Sequence, residues 1–237
     1  MKVEIWSDVV CPFCYIGKRR FEEALKQFEH RSEVEKVYRS FQLDPTADKN
    51  PTEDVHTILA KKYNMPYEEA KRMNQQVTDQ ASEVGLEFNF DIAVHANTFD
   101  AHRLSHFAAQ HGKMYELMER LMQAYFTEGK NVSDFDVLVN LAEEVGLPKE
   151  DTLKVLNSND FAENVRDDIS QSQQIGVRGV PFFVFNRKYA VSGAQPTEVF
   201  LEVLNRVYEE EKEEPQLQVL NEKKSNTEYC DDDSCGC

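Results

Sequence analysis

The 237-residue chain has no stretch approaching the roughly 20 consecutive apolar residues that a membrane-spanning helix requires. Its densest apolar run, Val180-Pro181-Phe182-Phe183-Val184-Phe185, has the length of a strand. The N-terminus, MKVEIWSDVVCPFC, also lacks the unbroken apolar core of roughly 7–15 residues that marks a secretory signal, because Glu4 and Asp8 interrupt it. A cytoplasmic location is therefore expected, with no membrane partner. Basic residues are scarce: 27 Lys and Arg stand against 43 Asp and Glu, for a net charge of −16. Phosphate backbones and anionic lipids repel such a surface, so nucleic acid is not expected as a partner either.

Cysteine is sparse too, at five residues. With 41% apolar residues, a chain of this length can bury a core without covalent staples. In a reducing cytosol, paired cysteines tend to be catalytic, redox-sensing or metal-binding rather than structural. Cys11 and Cys14 form one pair, and Cys230, Cys235 and Cys237 lie among aspartates at the end of the chain.

Residues 2–7 alternate charged and apolar side chains and predict a first strand. Pro12, favoured at a first helical position, puts Cys11 at the N-cap of a helix running to about His30, apolar at Ile16, Phe21, Leu25 and Phe28. A second strand is expected over residues 34–43, with Val37, Phe41 and Leu43 on one face, ended by Asp44-Pro45. From 51 to 157 the pattern is helical throughout. Pro66 opens one helix, and Ser133 with Asp136 three residues on resembles a cap for another. Gly85-Leu86 and Gly146-Leu147 read as two helix stops, each glycine taking a left-handed turn and each leucine packing back. Met114, Leu117, Met118, Leu121, Met122 and Tyr125 have the spacing of a buried helix face. After a helix over residues 159–174 the period becomes that of strands, with 181–185 buried and Asn186-Arg187 turning into 188–192. Pro196 opens a last helix, apolar at Phe200, Val203, Leu204 and Val207, and beyond Glu209 the sequence turns acidic. The order β-α-β, helical block, α-β-β-α describes an α/β, thioredoxin-like fold with a large all-helical insertion. Residues 1–45 and 158–210 would form the two parts of the thioredoxin-like domain, 46–157 the insertion, and 211–237 an acidic flexible tail with the cysteine cluster.

Cysteines three residues apart on a helix's first turn lie side by side, so a disulfide can close between Cys11 and Cys14. The first of them faces the unpaired N–H groups and the positive end of the helix dipole, which favour the thiolate, the attacking species. Cys14, one turn inside, is more shielded and reads as the resolving thiol. A Cys-x-x-Cys pair is also half of a zinc site. The strand–Cys-Pro-x-Cys–helix setting, with no other cysteine outside the tail, favours redox chemistry, and no metal is expected.

The run Ser7-Asp8-Val9-Val10-Cys11-Pro12-Phe13-Cys14-Tyr15-Ile16-Gly17, taken with Gly176-Val177-Arg178-Gly179-Val180-Pro181-Phe182-Phe183 and Ser192-Gly193-Ala194-Gln195, resembles the DsbA family. More narrowly it resembles the FrnE-like cytosolic branch, over about residues 1–210. The resemblance implies a thiol–disulfide oxidoreductase of the protein disulfide isomerase or reductase type, with Cys11 and Cys14 catalytic. It implies a cis-proline at Pro181 against that pair, and a Val180 backbone that pairs with a substrate chain by strand addition. Pro12 and Phe13 would join the substrate-binding surface. No cofactor is implied beyond a thiol pool such as glutathione or thioredoxin, and the implied partners are disulfide-containing proteins or low-molecular-weight disulfides.

Glutathione-dependent isomerases and kappa-type transferases of the same family typically carry serine where Cys11 stands, so cysteine at both positions fits disulfide exchange better. Periplasmic members usually have histidine where Phe13 stands. Phe13 cannot donate a hydrogen bond to the Cys11 sulfur, and a less oxidising pair is expected. Potentials in this superfamily span about −120 to −270 mV, roughly 7 kcal/mol for two electrons, enough to reverse the direction of net transfer. The FrnE-like branch has a second cysteine pair near its C-terminus, which Cys230 and Cys235 match. These two and Cys237 are candidate accessory redox residues, although the neighbouring aspartates raise thiol pKa and slow attack.

His102 and His106 stand four apart on a helix, but Arg103 occupies the place where a zinc-protease helix carries glutamate, so they read as structural. The stretch from Asn97 to Arg103 resembles one that family members place near the active-site cleft. A holdase chaperone or metal-handling protein, working through the insertion or the tail, is the non-enzymatic alternative.

Overall fold

The structure, a computed structural model, describes residues 1–49 and 51–213. The expected tail cysteines Cys230, Cys235 and Cys237 lie outside the described residues. Strand β1 (Lys2–Ser7) leads through helix α1 (Pro12–Gln27) and a 3-10 turn at Arg31–Glu33 to β2 (Glu35–Ser40), which pairs with β1 in parallel. Six helices follow: α2 (Val55–Tyr63), α3 (Tyr67–Ser82), α4 (Phe99–Gln110), α5 (Met114–Phe126), α6 (Phe135–Glu144) and α7 (Lys149–Asn157). Helix α8 (Ala162–Gln174) returns to the sheet, and β3 (Phe182–Phe185), β4 (Tyr189–Ser192) and α9 (Thr197–Glu213) complete it. The strand order is β2-β1-β3-β4, with β3 and β4 antiparallel to their neighbours. This is the expected thioredoxin-like fold with its large helical content after β2. Among the described residues, no helix is long and apolar enough to cross a membrane.

Alternation along the strands sends apolar side chains to both covering layers. Val3 pairs with Phe185 and Ile5 with Phe183. Phe183 meets Phe21 of α1 and Phe200 of α9 at ring-centroid distances of 5.4 and 4.7 Å. Tilted and edge-on pairs of this kind add about 0.5–1.5 kcal/mol each beyond their burial. On the other face Trp6 Nε1 donates to the Asp168 carbonyl of α8 at 2.9 Å, and the Asp168 carboxylate receives the Ser40 amide and Arg39. Buried Glu4, between Arg39 and Arg187, is held below the usual carboxylate range: burial opposes its charge, and the two guanidiniums outweigh burial.

Helix α1 is tied to α5 by a half-buried charge cluster. Lys18, 3% exposed, bonds Glu22 and Glu119 at 2.5 Å each, while Arg19 bonds the same two carboxylates. The Tyr15 hydroxyl donates to Glu119 at 2.6 Å and the Tyr115 hydroxyl to Glu22 at 2.5 Å. Each cation thus has a partner, which burial at this depth demands. The stripe on α5 is core: Leu117, Met118, Leu121, Met122 and Tyr125 are all buried.

Several local expectations meet the structure unevenly. Gly85 and Gly146 are left-handed (φ +75° and +87°), and the amides of Leu86 and Leu147 reach back to Ala81 and Ala142. Asn186 and Arg187 are both left-handed (φ +48° and +56°), as the tight hairpin requires. Helix α1 stops at Gln27, short of His30, and α9 runs on to Glu213, past Glu209. The second strand is shorter than 34–43. After Phe41 N donates to Ser7 O, the Leu43 amide turns aside to Asp8 Oδ2, so Phe41 and Leu43 leave the ladder and Tyr38 and Ser40 are its buried residues. Residues 83–98 break the expected helical run without a helix of their own. Ser133 is not the cap of α6. Asp134 is, its Oδ1 accepting from the amides of Asp136 and Val137, while Ser133 Oγ donates to the Lys49 carbonyl.

Asp134→Ala removes that cap and is expected to cost about 1 kcal/mol, or roughly 2–4 °C in melting temperature for a chain of this size. A thermal melt followed by circular dichroism checks it; an unchanged midpoint would mean that the cap does not hold α6.

Candidate active site

Two adjacent features, a proline at N1 and an extended residue before it, set the first turn of α1. Cys11 has φ −88° and ψ 113° and is the N-cap, with Pro12 behind it. Its amide donates to Asp8 O at 3.2 Å, and its carbonyl accepts from the amides of Cys14 and Tyr15 at 3.0 and 3.4 Å. Its side chain makes no capping bond. Cys11 Sγ lies 3.5 Å from the Val180 carbonyl, to which the thiol donates. The Val180–Pro181 peptide bond is cis.

The loop before β3 sits this close because α1 carries no side chain at position 17. A Cβ on Gly17 would stand 3.0 Å from Pro181 Cγ and 3.4 Å from Ala194. The Arg20 guanidinium donates to the Ala194 carbonyl at 2.6 Å, and the Gly193 amide to the Pro181 carbonyl at 2.8 Å. Helix and loop are thereby clamped together beside Cys11.

Both cysteines are free thiols and both are buried, 3% and 2% exposed for Cys11 and Cys14. Burial pushes the Cys14 thiol well above its ordinary range, and the adjacent Cys11 sulfur pushes it further; the Ser7 hydroxyl and the Asp8 amide work in the opposite direction. Asp8 is fully buried. It holds the Leu43 amide at 2.8 Å through Oδ2 and His102 Nε2 at 3.1 Å through Oδ1, joining the Cys11 turn, the end of β2 and α4.

Cys11 opens onto a groove of about 340 Å³. One wall is Val10, Cys11, Pro12, Phe13 and Leu43, with Gly179 and Val180 from the loop before β3; the other is Val55, Leu59 and Tyr63 of α2 with Met73 and Val77 of α3. Asp8, Tyr125, His95 and Thr98 line it as well. Phe13, Leu43, Tyr63 and Met73 are 39–56% exposed, so the rim is unusually apolar.

Of the residues singled out from the sequence, Cys11, Pro12, Phe13 and Val180 line this groove. Cys14 lies behind Cys11 and outside the wall, and Pro181 packs on Gly17. The histidines are dispersed: His102 binds Asp8, His106 binds Ser40 and Asp168, and His95 binds Asp44 at the groove's end. Among the described residues, no three His, Cys, Asp or Glu side chains converge as metal ligands. Sequence reasoning assigned no role to Ser7, Asp8 or Gly17, although all three fall within the motif. It missed the α2–α3 wall altogether, since nothing in helical periodicity says which exposed apolar side chains will face a distant loop.

The sequence pattern of the family described as a DSBA-like thioredoxin domain matches residues 2–205. The uncharacterized protein YwbO of Bacillus subtilis is 30% identical over 200 residues, which cover 84% of this chain and 92% of that protein. A crystal structure of a probable DsbA oxidoreductase from Streptomyces coelicolor superposes with a TM-score of 0.86 at 40% identity, over 100% of this chain and 99% of that one. The cytosolic disulfide reductase DsbM from Pseudomonas aeruginosa shares the fold, with a TM-score of 0.61 at 18% identity over 87% of this chain and 100% of that one.

Gly17→Val sets a branched side chain against the Pro181 ring. It is expected to destabilise the protein by about 1–3 kcal/mol, the usual cost of overpacking. Urea denaturation measures this; stability equal to that of the parent protein would show that the loop is not clamped on α1.

Proposed function

The chain belongs to the family of DSBA-like thioredoxin domains, and from that premise we propose that it is a thiol–disulfide oxidoreductase working through Cys11 and Cys14. The observation that carries the reading is the pairing of two unlike thiols one helical turn apart. Cys11 lines an apolar groove against the Val180 carbonyl, and Cys14, equally buried, does not line it and is held protonated by burial.

In this reading Cys11, as thiolate, attacks one sulfur of a substrate disulfide. A mixed disulfide forms between Cys11 and that sulfur, and the other substrate sulfur leaves and takes up a proton. Cys14 then attacks Cys11, the Cys11–Cys14 bond forms, and the second substrate thiol departs. Run in reverse, the same steps deliver a disulfide. The Val180 backbone offers its polar groups to an extended substrate segment, and the apolar rim, Phe13 included, suits the side chains of an unfolded or partly folded protein. Because Phe13 gives the Cys11 sulfur no hydrogen-bond donor, the pair is expected towards the reducing end of the family's range. A thiol pool such as glutathione or thioredoxin would regenerate it in the cytoplasm.

The test is turnover of a protein disulfide such as insulin with glutathione as co-substrate. Cys11→Ser is expected to lower the rate at least about a hundredfold, since oxygen at that position cannot form the mixed disulfide. Cys14→Ser should stop at one equivalent and accumulate the Cys11 mixed disulfide, visible by mass spectrometry. A Cys11→Ser protein that keeps its glutathione-dependent turnover would replace this reading with the kappa-type isomerase or transferase.

A further inference from the structure

Deepening that reading and resting on it, we propose that Asn74 of α3 is a substrate-binding residue: its Oδ1 accepts a hydrogen bond from a backbone N–H of a peptide lying in the Cys11 groove. The groove thereby favours peptide disulfides over small ones. Asn74 is 7% exposed, and with Ala70 and Ala81 it makes up the buried positions of α3. It lines the groove beside Met73 and Val77, on a wall that Val55, Leu59 and Tyr63 otherwise make largely apolar. Asparagine suits a helix interior poorly, and a buried amide is kept where its polar atoms find partners.

One arm of the amide is committed. Asn74 Nδ2 lies 2.9 Å from His56 Nδ1, and His56 Nε2 lies 3.1 Å from Asp91 Oδ1. A carboxylate only accepts, so Nε2 of the neutral ring carries the hydrogen and Nδ1 accepts from Asn74. That fixes which way round the amide stands. Lys71 holds Asp91 at 3.2 Å and the Tyr67 ring meets the imidazole edge-on, so the orienting group is itself held. The other arm is open. Asn74 Oδ1 receives no hydrogen bond from the described residues and is not sealed from solvent. Asn74 borders two spaces, the groove and a polar cavity of about 80 Å³ that His56, Lys71, Gln75 and Thr78 also line. His56 borders the cavity and not the groove, so the Nδ2 arm is turned to the cavity and the diverging Oδ1 is left to the groove.

An extended chain sends its backbone N–H groups to both of its edges. Where the Val180 backbone pairs with one edge of a substrate segment, the amides of the other edge face the α2–α3 wall, and burial there without an acceptor opposes binding. Of the polar side chains on that wall, Lys62 only donates and Tyr63 stands at the rim, 56% exposed. Asn74 Oδ1 is the buried acceptor. A small disulfide without such an N–H gains nothing from it. The exchange itself is unaltered: the Cys11 thiol loses its proton, a Cys11–peptide S–S bond forms, and the bond from the peptide sulfur to its former partner breaks to leave a thiolate. Asn74 neither gains nor loses a proton.

The probe is a short peptide whose cysteine, flanked by apolar residues, carries thionitrobenzoate in a disulfide; Ellman's reagent offers the same coloured leaving group without a peptide. Both are read in the full chain carrying Cys14→Ser, Cys230→Ser, Cys235→Ser and Cys237→Ser, so that colour reports attack by Cys11. Asn74→Leu is expected to lower the second-order rate with the peptide about fivefold, the worth of one hydrogen bond between uncharged groups, and to leave the rate with Ellman's reagent unchanged. Methylating the peptide's amide nitrogens one at a time should reproduce that loss at one position with Asn74 in place, and cost nothing further there in Asn74→Leu. An Asn74→Leu protein with undiminished preference for the peptide would overturn the proposal. If Asn74→Leu slows both probes, the ratio of the two rates is compared with that of Asn74→Asp, which keeps an oxygen for the groove: a lower ratio with Leu upholds the proposal, and equal ratios overturn it. Release from the peptide that survives Cys11→Ser in the chain that keeps Cys14 would instead strike the underlying oxidoreductase reading, whatever Asn74 does.

Discussion

Helix α1 begins where the chain before β3 passes, and the distance between them is set by the side chain that Gly17 does not have. With no Cβ in the way, the Pro181 ring rests on the second turn of the helix, and the Val180 carbonyl comes to 3.5 Å from Cys11 Sγ. Nearly everything else about the candidate site follows from that contact. It brings a sulfur and the backbone carbonyl that accepts its hydrogen bond to one wall of the groove. The Arg20–Ala194 and Gly193–Pro181 hydrogen bonds secure the loop from the other side, and the Lys18–Glu119 and Arg19–Glu119 pairs anchor the helix to α5. The charged cluster thus mounts α1 on α5.

The two cysteines are neighbours in sequence and unlike in circumstance. Cys11 belongs to the groove, and its backbone is held by Asp8, a buried carboxylate that also fixes the end of β2 and His102. Cys14 does not line the groove, and burial opposes its ionisation. An asymmetry of this kind suits the proposed exchange, in which one thiol meets substrate while the other waits.

Much of this was legible in the order of residues, for identifiable reasons. Pro12 beside Cys11 announces a helix start because its missing N–H costs nothing there, and α1 begins at Pro12. Gly146 before Leu147 announces a stop because only a residue free of Cβ strain takes that turn cheaply. Both are local rules, and both hold in the structure. What escaped was set by distant contacts. The end of β2 bends because Asp8, far away in sequence, captures the Leu43 amide. Ser133, the cap expected from the sequence, turns its hydroxyl to the distant Lys49 carbonyl, and Asp134 caps the helix. The groove wall from α2 and α3 depends on where two helices pack in the folded chain, and apolar residues such as Tyr63 and Met73 carry no mark of that destination. The positions of Cys11, Phe13, Val180 and Pro181 around one site came from the resemblance to a family, which composition and periodicity could not have supplied.

The account turns on the inequality of the two sulfurs, and timed alkylation of the reduced protein by iodoacetamide, with peptide mass mapping, reads that inequality directly. Cys11 is expected to be modified at least about tenfold faster than Cys14 at neutral pH, because Cys11 lines the groove while Cys14 does not and is held protonated by burial. Equal rates, or Cys14 reacting first, would contradict it.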